Sequence, residues 1–149
     1  MYEFIERINE AADVKKFKVE ELDQLADEIR EALFNRLTKI GGHFGPNFGM
    51  VEAEIAMHYV FNSPVDQFVF DVSHQSYPHK ILTGRKAGYI YDDHFFEDSG
   101  YTNPDESEHD LFNVGHTSTS ISLASGLAKA RDLKGEKRNV IAVIGDGSL

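Results

Sequence analysis

Two glycine-rich segments place residues suited to catalysis where a ligand could reach them. Asp146 stands between Gly145 and Gly147, directly after an apolar run. A carboxylate there can hold a divalent cation, and the glycines let backbone amides approach phosphate oxygens. An ordinary Asp-Gly turn has the same sequence, so the tripeptide alone is weak evidence. His43 lies in a loop, residues 41–49, that contains four glycines, more than a plain connection needs.

Two further histidines lie beside possible ligand sites. His116 is the second residue of the run Gly-His-Thr-Ser-Thr-Ser at 115–120, which precedes a helix of small residues. Hydroxyl side chains are ordinary helix N-caps, but four in succession also fit an anion site made by free N–H groups and the helix dipole. His74 follows a short apolar strand, and imidazole is the usual proton shuttle near neutral pH. If the two strands are parallel, His74 and Asp146 lie at one edge of the sheet.

Hydrophobic periodicity predicts the elements that position these residues. The clearest is a helix over 20–40, whose apolar residues recur every three or four positions before Gly41-Gly42 ends it. Two apolar runs separated by helices indicate an α/β fold with a parallel sheet flanked by helices. Because two strands do not make a stable sheet and the sequence stops soon after the second, we expect the front part of a longer protein. The remaining predicted elements are helices over 2–11, 50–61 and 117–133, a helical turn over 78–82, and strands over 67–72 and 139–144.

Composition argues against several classes of protein. The 149 residues carry a net charge of −10, whereas nonspecific binding to nucleic acid or anionic membranes needs a basic surface. Eight of the 25 acidic residues lie in the segment 91–110, which contains no Lys or Arg. The absence of cysteine excludes disulfides and Cys-ligated metal sites and fits a cytoplasmic location. No apolar run reaches the roughly 18 residues of a membrane span, and the acidic N-terminus is unlike a signal peptide.

Six ordered segments resemble the 1-deoxy-D-xylulose-5-phosphate synthases, transketolase-like enzymes that use thiamin diphosphate. The resemblance runs from about residue 4 to the end and rests on GGHFGPNFG, VFDVSHQSYPHKILTGRK, ESEHDLF, GHTSTSIS, ARDLKG and VIAVIGDGSL. It implies that 1–149 is the N-terminal portion of the diphosphate-binding domain. Within it, 1–18 forms an N-terminal arm and 19–149 the α/β part, and the remaining domains lie outside this chain.

The resemblance also implies a reaction and the residues that serve it. The family joins pyruvate to glyceraldehyde 3-phosphate with release of carbon dioxide, uses thiamin diphosphate with Mg²⁺, and acts as a homodimer of the full-length protein. On that pattern Asp146 binds the magnesium ion, and Gly147 and Ser148 lie at the diphosphate. Further cofactor contacts are implied for His74, Gly115, His116 and Thr117, and catalytic roles for His43, His74 and His116.

The chain departs from the family pattern at two places. Ser73 stands where the family usually has Gly, so the turn that follows differs if that Gly needs positive φ. The family's Ser-Gly-Phe-Pro-x-Arg is here Ser-Gly-Tyr-Thr-Asn-Pro at 99–104, inside the acidic segment. The lost Arg leaves the identity of the acceptor open. Lys80, Arg85 and Lys86 are then candidate partners for a substrate phosphate.

Three interpretations therefore stay open. The first is the synthase reaction. The second is a transketolase-like ketol transfer, or a synthase-like enzyme with a different aldehyde acceptor. The third is non-enzymatic: an isolated fragment or a split subunit that needs a partner. The family's second magnesium ligand and its activating Glu lie beyond residue 149, so we expect these residues alone not to form a complete catalyst.

Overall fold

The computed structural model describes residues 2–148, and the longer elements match the predicted ones to within three residues at each end. The helices are α1 (Glu3–Glu6), α2 (Leu22–Ile40), α3 (Phe44–Phe48), α4 (Val51–Val60), α5 (Tyr77–Lys80), α6 (Ala87–Ile90) and α7 (Ser120–Lys134), and the strands are β1 (Gln67–Phe70) and β2 (Val140–Val143). Short 3₁₀ helices span Ala11–Lys16, Val19–Glu21, Asp92–His94 and Asp146–Ser148, and a kinked helical turn spans Ile81–Arg85.

The helix α2 forms the centre of the main core. It ends at Gly41, whose φ of 79° lies in the region that favours glycine. Arg36 is buried on the same helix, and its guanidinium donates to the carbonyl oxygens of Gly88 and Phe95, both at 2.9 Å. These bonds tie α2 to α6 and to the chain beyond it.

The N-terminal residues belong to the same core. The helix predicted over 2–11 stops after one turn, because Asp13 accepts hydrogen bonds from the N–H groups of Asn9 and Glu10 and begins a 3₁₀ helix. Glu28 of α2 caps the start of α1. The buried apolar residues of this core are Ile5, Ile8, Val14, Phe17, Leu25, Ala26, Ile29, Ala32, Leu33, Leu37, Val51, Ile55, Tyr77, Ile81, Leu82 and Tyr89.

The strands β1 and β2 pair in parallel, as predicted, with Gln67 opposite Val140 and Phe70 opposite Val143. Helices α4 and α7 accompany this pair: Met57 of α4 packs on a small cluster that includes Phe70, and α7 contacts both strands. Because the strands run in the same direction, the residues after each strand meet at one edge. Among the described helices, none combines the length and apolarity needed to cross a bilayer.

The acidic segment 91–110 is folded onto the chain before it. Lys80 is fully buried with its Nζ 2.5 Å from Glu106, and Arg85 donates twice to Asp110, at 2.7 and 2.8 Å. Lys86 donates to the carbonyl oxygen of Glu6. Each of these three candidate phosphate partners therefore already has an internal partner, which argues against that role.

Candidate functional site

Two loops bring His43 and His74 together. His43 immediately precedes α3, and His74 follows the turn after β1. Their ring centroids are 5.4 Å apart and their planes are nearly perpendicular, at 85°. The sequence pointed to each residue separately but did not predict that they form a pair. This pair is the centre of the candidate site.

The turn before His74 is conformationally strained. Val72 has φ of 59° and Ser73 has φ of 69°, which costs a residue with a side chain about 1–2 kcal/mol. The positive φ at Ser73 is a conformation that glycine adopts more easily than a residue with a side chain. Ser73 is fully buried, and its Oγ accepts a hydrogen bond from the N–H of Thr102 at 3.0 Å. Its carbonyl oxygen accepts a second bond from Ser76 Oγ at 2.7 Å. These bonds hold the strained turn in place.

Asn47 joins the two histidine loops. Its side chain is fully buried in α3, and its Nδ2 donates to the carbonyl oxygen of His43 at 2.7 Å and to that of His74 at 2.9 Å. Its Oδ1 accepts a bond from the N–H of Tyr77 at 2.9 Å. One side chain therefore sets the position of both histidine backbones relative to α5.

His74 is kept neutral at pH 7. Burial lowers the pKa of its imidazole and the neighbouring His43 lowers it further, which outweighs the opposite effect of Asp71. Its Nδ1 is buried without a hydrogen-bond partner among residues 2–148.

His74 and Asp146 line one pocket of about 350 Å³, together with Gly147 and Ser148. This arrangement confirms the prediction that both strand ends meet at one edge of the sheet. Gln75 lines the same pocket and has a buried Oε1 without a partner in the described part of the chain. A larger groove of about 850 Å³ beside α1 and α6 contains none of the predicted site residues.

Asp146 supplies a carboxylate suited to a cation. It is exposed, and its Oδ1 accepts the N–H of Gly147 at 2.9 Å, while the second carboxylate oxygen accepts no bond from residues 2–148. Within residues 2–148, no three His, Cys, Asp or Glu side chains cluster as a metal site. Magnesium prefers six oxygen ligands, and it commonly combines one or two carboxylates with waters and substrate phosphates. The residue therefore fits one position of such a site.

The N-terminus of α7 is capped by Asp71 from the end of β1. The N–H groups of Ser118, Thr119 and Ser120 donate to its carboxylate at 3.0, 2.8 and 2.9 Å. Burial raises the pKa of Asp71, but these bonds lower it more, and the pKa lies below its usual range. The prediction that these N–H groups bind a ligand anion is wrong, because the protein's own carboxylate is the anion they bind.

The residues just before this cap remain open to a ligand. Helix α7 begins at Ser120, later than predicted, so Gly115, His116 and Thr117 lie on an exposed stretch of chain. The structure does not bring His116 into the ring cluster of His43 and His74 within the described range. The cap at Asp71 anchors this stretch beside the end of β1, and the cofactor roles of its three residues stay predictions.

A second histidine cluster is structural. His58 Nε2 lies 2.9 Å from His79 Nδ1, and His79 Nε2 lies 3.2 Å from Asp110 Oδ1. Both rings are buried against β1, and Phe70 lies 4.9 Å from His79 between ring centroids. Burial lowers the pKa of His58 and His79, so both are neutral at pH 7. This cluster links the sheet to the acidic segment.

Sequence reasoning missed two residues that organise the site. Asp71 had a detectable signal, because a carboxylate at a strand end could satisfy a helix N-terminus that begins with small residues. Asn47 had none, because two of its three partners are backbone groups of His74 and Tyr77, which the local pattern does not connect to it.

The chain is similar to known proteins over almost its whole length. The family model described as 1-deoxy-D-xylulose-5-phosphate synthase matches residues 5–149. Curated relatives with that name include a protein of Caldanaerobacter subterraneus subsp. tengcongensis, 52% identical over 97% of this chain, and one of Pelotomaculum thermopropionicum, 49% identical over the whole chain. The chain spans 23% of the length of each of these relatives. It therefore belongs to the 1-deoxy-D-xylulose-5-phosphate synthase family.

Proposed function

We propose that this chain is the N-terminal portion of the diphosphate-binding domain of a thiamin diphosphate enzyme, with 1–18 as its arm and 19–149 as its α/β part. The enzyme condenses pyruvate with glyceraldehyde 3-phosphate and releases carbon dioxide. The observation that carries the proposal is the pocket shared by His74 and Asp146, with His43 packed against His74. Family membership supplies the reaction.

One end of the pocket suits a diphosphate and its metal ion. Asp146 would hold Mg²⁺ through its free carboxylate oxygen, and Gly147 and Ser148 would lie beside the phosphates. The exposed stretch with Gly115, His116 and Thr117 would add cofactor contacts, since Asp71 anchors it to the end of β1.

The other end suits proton transfer. When bound, thiamin diphosphate supplies the carbanion that adds to the keto carbon of pyruvate and stabilises the charge left by loss of carbon dioxide. His74 lines the pocket, so its imidazole can hold a substrate oxygen or move a proton. His43 lies beside it, and His116 would act from the exposed stretch that Asp71 anchors at the end of β1.

The complete site needs groups outside this chain. We propose that the full-length protein supplies the remaining magnesium ligand and the group that activates the cofactor. We further propose that it works as a cytoplasmic homodimer. The net charge of −10 supports small-molecule substrates rather than nucleic acid or membrane as partners.

Calorimetry on the full-length enzyme tests the cofactor end. We expect Asp146→Asn to raise the Kd of thiamin diphosphate with Mg²⁺ at least about tenfold, because the amide loses the charge that a divalent cation requires. Asp132→Asn is the matched control, since it removes an exposed carboxylate at the far end of α7. An unchanged Kd in the Asp146 variant would refute the metal role.

Product analysis tests the reaction. The enzyme should form carbon dioxide and a phosphorylated deoxypentulose from pyruvate and glyceraldehyde 3-phosphate. Turnover with a ketose phosphate as the donor, without carbon dioxide release from pyruvate, would instead establish the transketolase-like alternative. Absence of both activities in the full-length protein would favour a non-enzymatic role.

A further inference from the structure

The segment 99–104 forms a wall of the candidate site. The ring of Tyr101 lies 5.7 Å from that of His43 between centroids, with the planes at 62°. A methyl group on the neighbouring Gly100 would lie 3.4 Å from the hydroxyl of Tyr77, so the backbone also packs closely on α5. The segment in which the chain departs from the family pattern is therefore in direct contact with the histidine pair.

Hydrogen bonds on both sides keep this wall ordered. Thr102 donates from its N–H to Ser73 Oγ at 3.0 Å and from its Oγ1 to the carbonyl oxygen of Phe112 at 2.8 Å. The N–H of Asn103 donates to Asp110 at 2.8 Å, and Asp110 is itself fixed by Arg85. Tyr101 thus projects from a backbone that is anchored immediately after it.

The site residues form a continuous series of neighbours in space. Asp146 and His74 line one pocket, His43 packs on His74, and Tyr101 packs on His43. The phenol of Tyr101 is 38% exposed and makes no hydrogen bond to any residue from 2 to 148. We propose that this phenol is a specificity-determining group, which binds an oxygen of the aldehyde acceptor on the side of His43 away from Asp146. The proposal rests on the proposed function.

Ser73 is the positioning residue for Tyr101. Its hydroxyl is the acceptor for the N–H that follows Tyr101 in the chain, and it occupies a position with φ of 69°. In the family pattern these two places carry Gly and Pro, which have neither the hydroxyl nor the N–H. The two departures of this chain are therefore joined by one hydrogen bond that the family pattern does not allow.

Steady-state kinetics of the full-length enzyme test the proposal. Tyr101→Phe keeps the ring and removes only the hydroxyl, so we expect the acceptor KM to rise about three- to tenfold while kcat changes less than twofold. Ser73→Gly relieves the positive φ and removes the bond to Thr102, so it should raise the same KM. Because both changes act on one contact, the double variant should show less than the product of the two effects.

Two further readouts separate positioning from general damage. Hydrogen exchange at the amide of Thr102 should accelerate in Ser73→Gly but not in Tyr101→Phe, and the Kd of thiamin diphosphate should stay within twofold in Tyr101→Phe. Tyr91→Phe is the matched control, because the hydroxyl of Tyr91 donates to Glu6, away from the histidine pair. Failure of the wild-type enzyme to condense pyruvate with the aldehyde would refute the proposed function. Normal condensation with an unchanged acceptor KM in Tyr101→Phe would overturn this inference alone.

Discussion

The helix cap that Asp71 provides for α7 can be tested by a single substitution. Asp71 accepts three N–H bonds of 2.8 to 3.0 Å at the start of a 15-residue helix. In Asp71→Asn, the amide oxygen can keep the bonds to Thr119 and Ser120. The amide nitrogen, however, turns a donor toward the N–H of Ser118. The substitution removes one bond to a charged group and the favourable interaction of the charge with the helix dipole.

The expected cost follows from these two losses. A bond to a charged group contributes about 1.5–3 kcal/mol, and a charge at a helix N-terminus about 0.3–1 kcal/mol. We therefore expect the local opening free energy at 118–120 to fall by about 2–4 kcal/mol. Since 1.36 kcal/mol is a factor of ten, exchange of these amides should accelerate about 30- to 900-fold.

Hydrogen exchange with mass spectrometry on the full-length enzyme measures this change. Peptides that cover 115–123 should lose protection in Asp71→Asn, whereas Asp132→Asn, an exposed acid near the other end of α7, should leave them unchanged. The Kd of thiamin diphosphate should also rise, because Gly115, His116 and Thr117 are then less well positioned. Exchange within threefold of wild type in the Asp71 variant would contradict the role of the carboxylate as the cap.

Two further predictions concern the acidic segment. Asp110→Asn should destabilise the full-length protein by about 3–5 kcal/mol in chemical denaturation, because it removes a buried carboxylate that Arg85 contacts at 2.7 and 2.8 Å and leaves the half-buried guanidinium only its 3.5 Å contact with Glu106. Asp92→Asn breaks only an exposed ion pair and should cost at most about 1 kcal/mol. Equal losses of stability in the two variants would refute the claim that the buried pair contributes more than the exposed one. Burial lowers the pKa of His109 to about 4, so between pH 6.5 and 4 the unfolded chain binds a proton there that the folded chain does not. The free energy of unfolding should therefore fall as the pH falls through this window, by about 1–2 kcal/mol for this half-buried ring after allowance for solvent; His109→Gln should flatten the slope, and an unchanged slope would exclude His109 as a cause.

Local patterns predicted the elements well because each reports which face of a segment is buried. The stripe of α2 and the apolar runs of β1 and β2 needed no knowledge of the rest of the chain. The one clear error in length was the helix over 2–11, which Asp13 interrupts by bonding to the backbone before it. Hydrophobic periodicity cannot reveal a side chain that competes with the helix for backbone hydrogen bonds in this way.

The sequence by itself determined the family, the two strands, and the placement of His74 and Asp146 at strand ends, because motifs and periodicity are properties of neighbouring residues. Only the tertiary structure decided which groups meet across long separations in the chain. Asp71 caps a helix that begins 49 residues later, and Lys80 takes Glu106 as its counter-charge 26 residues on. Burial removes water from each polar group, so each buried group needs a partner within the protein. Which groups are buried, and beside which partners, is known only once the chain has folded.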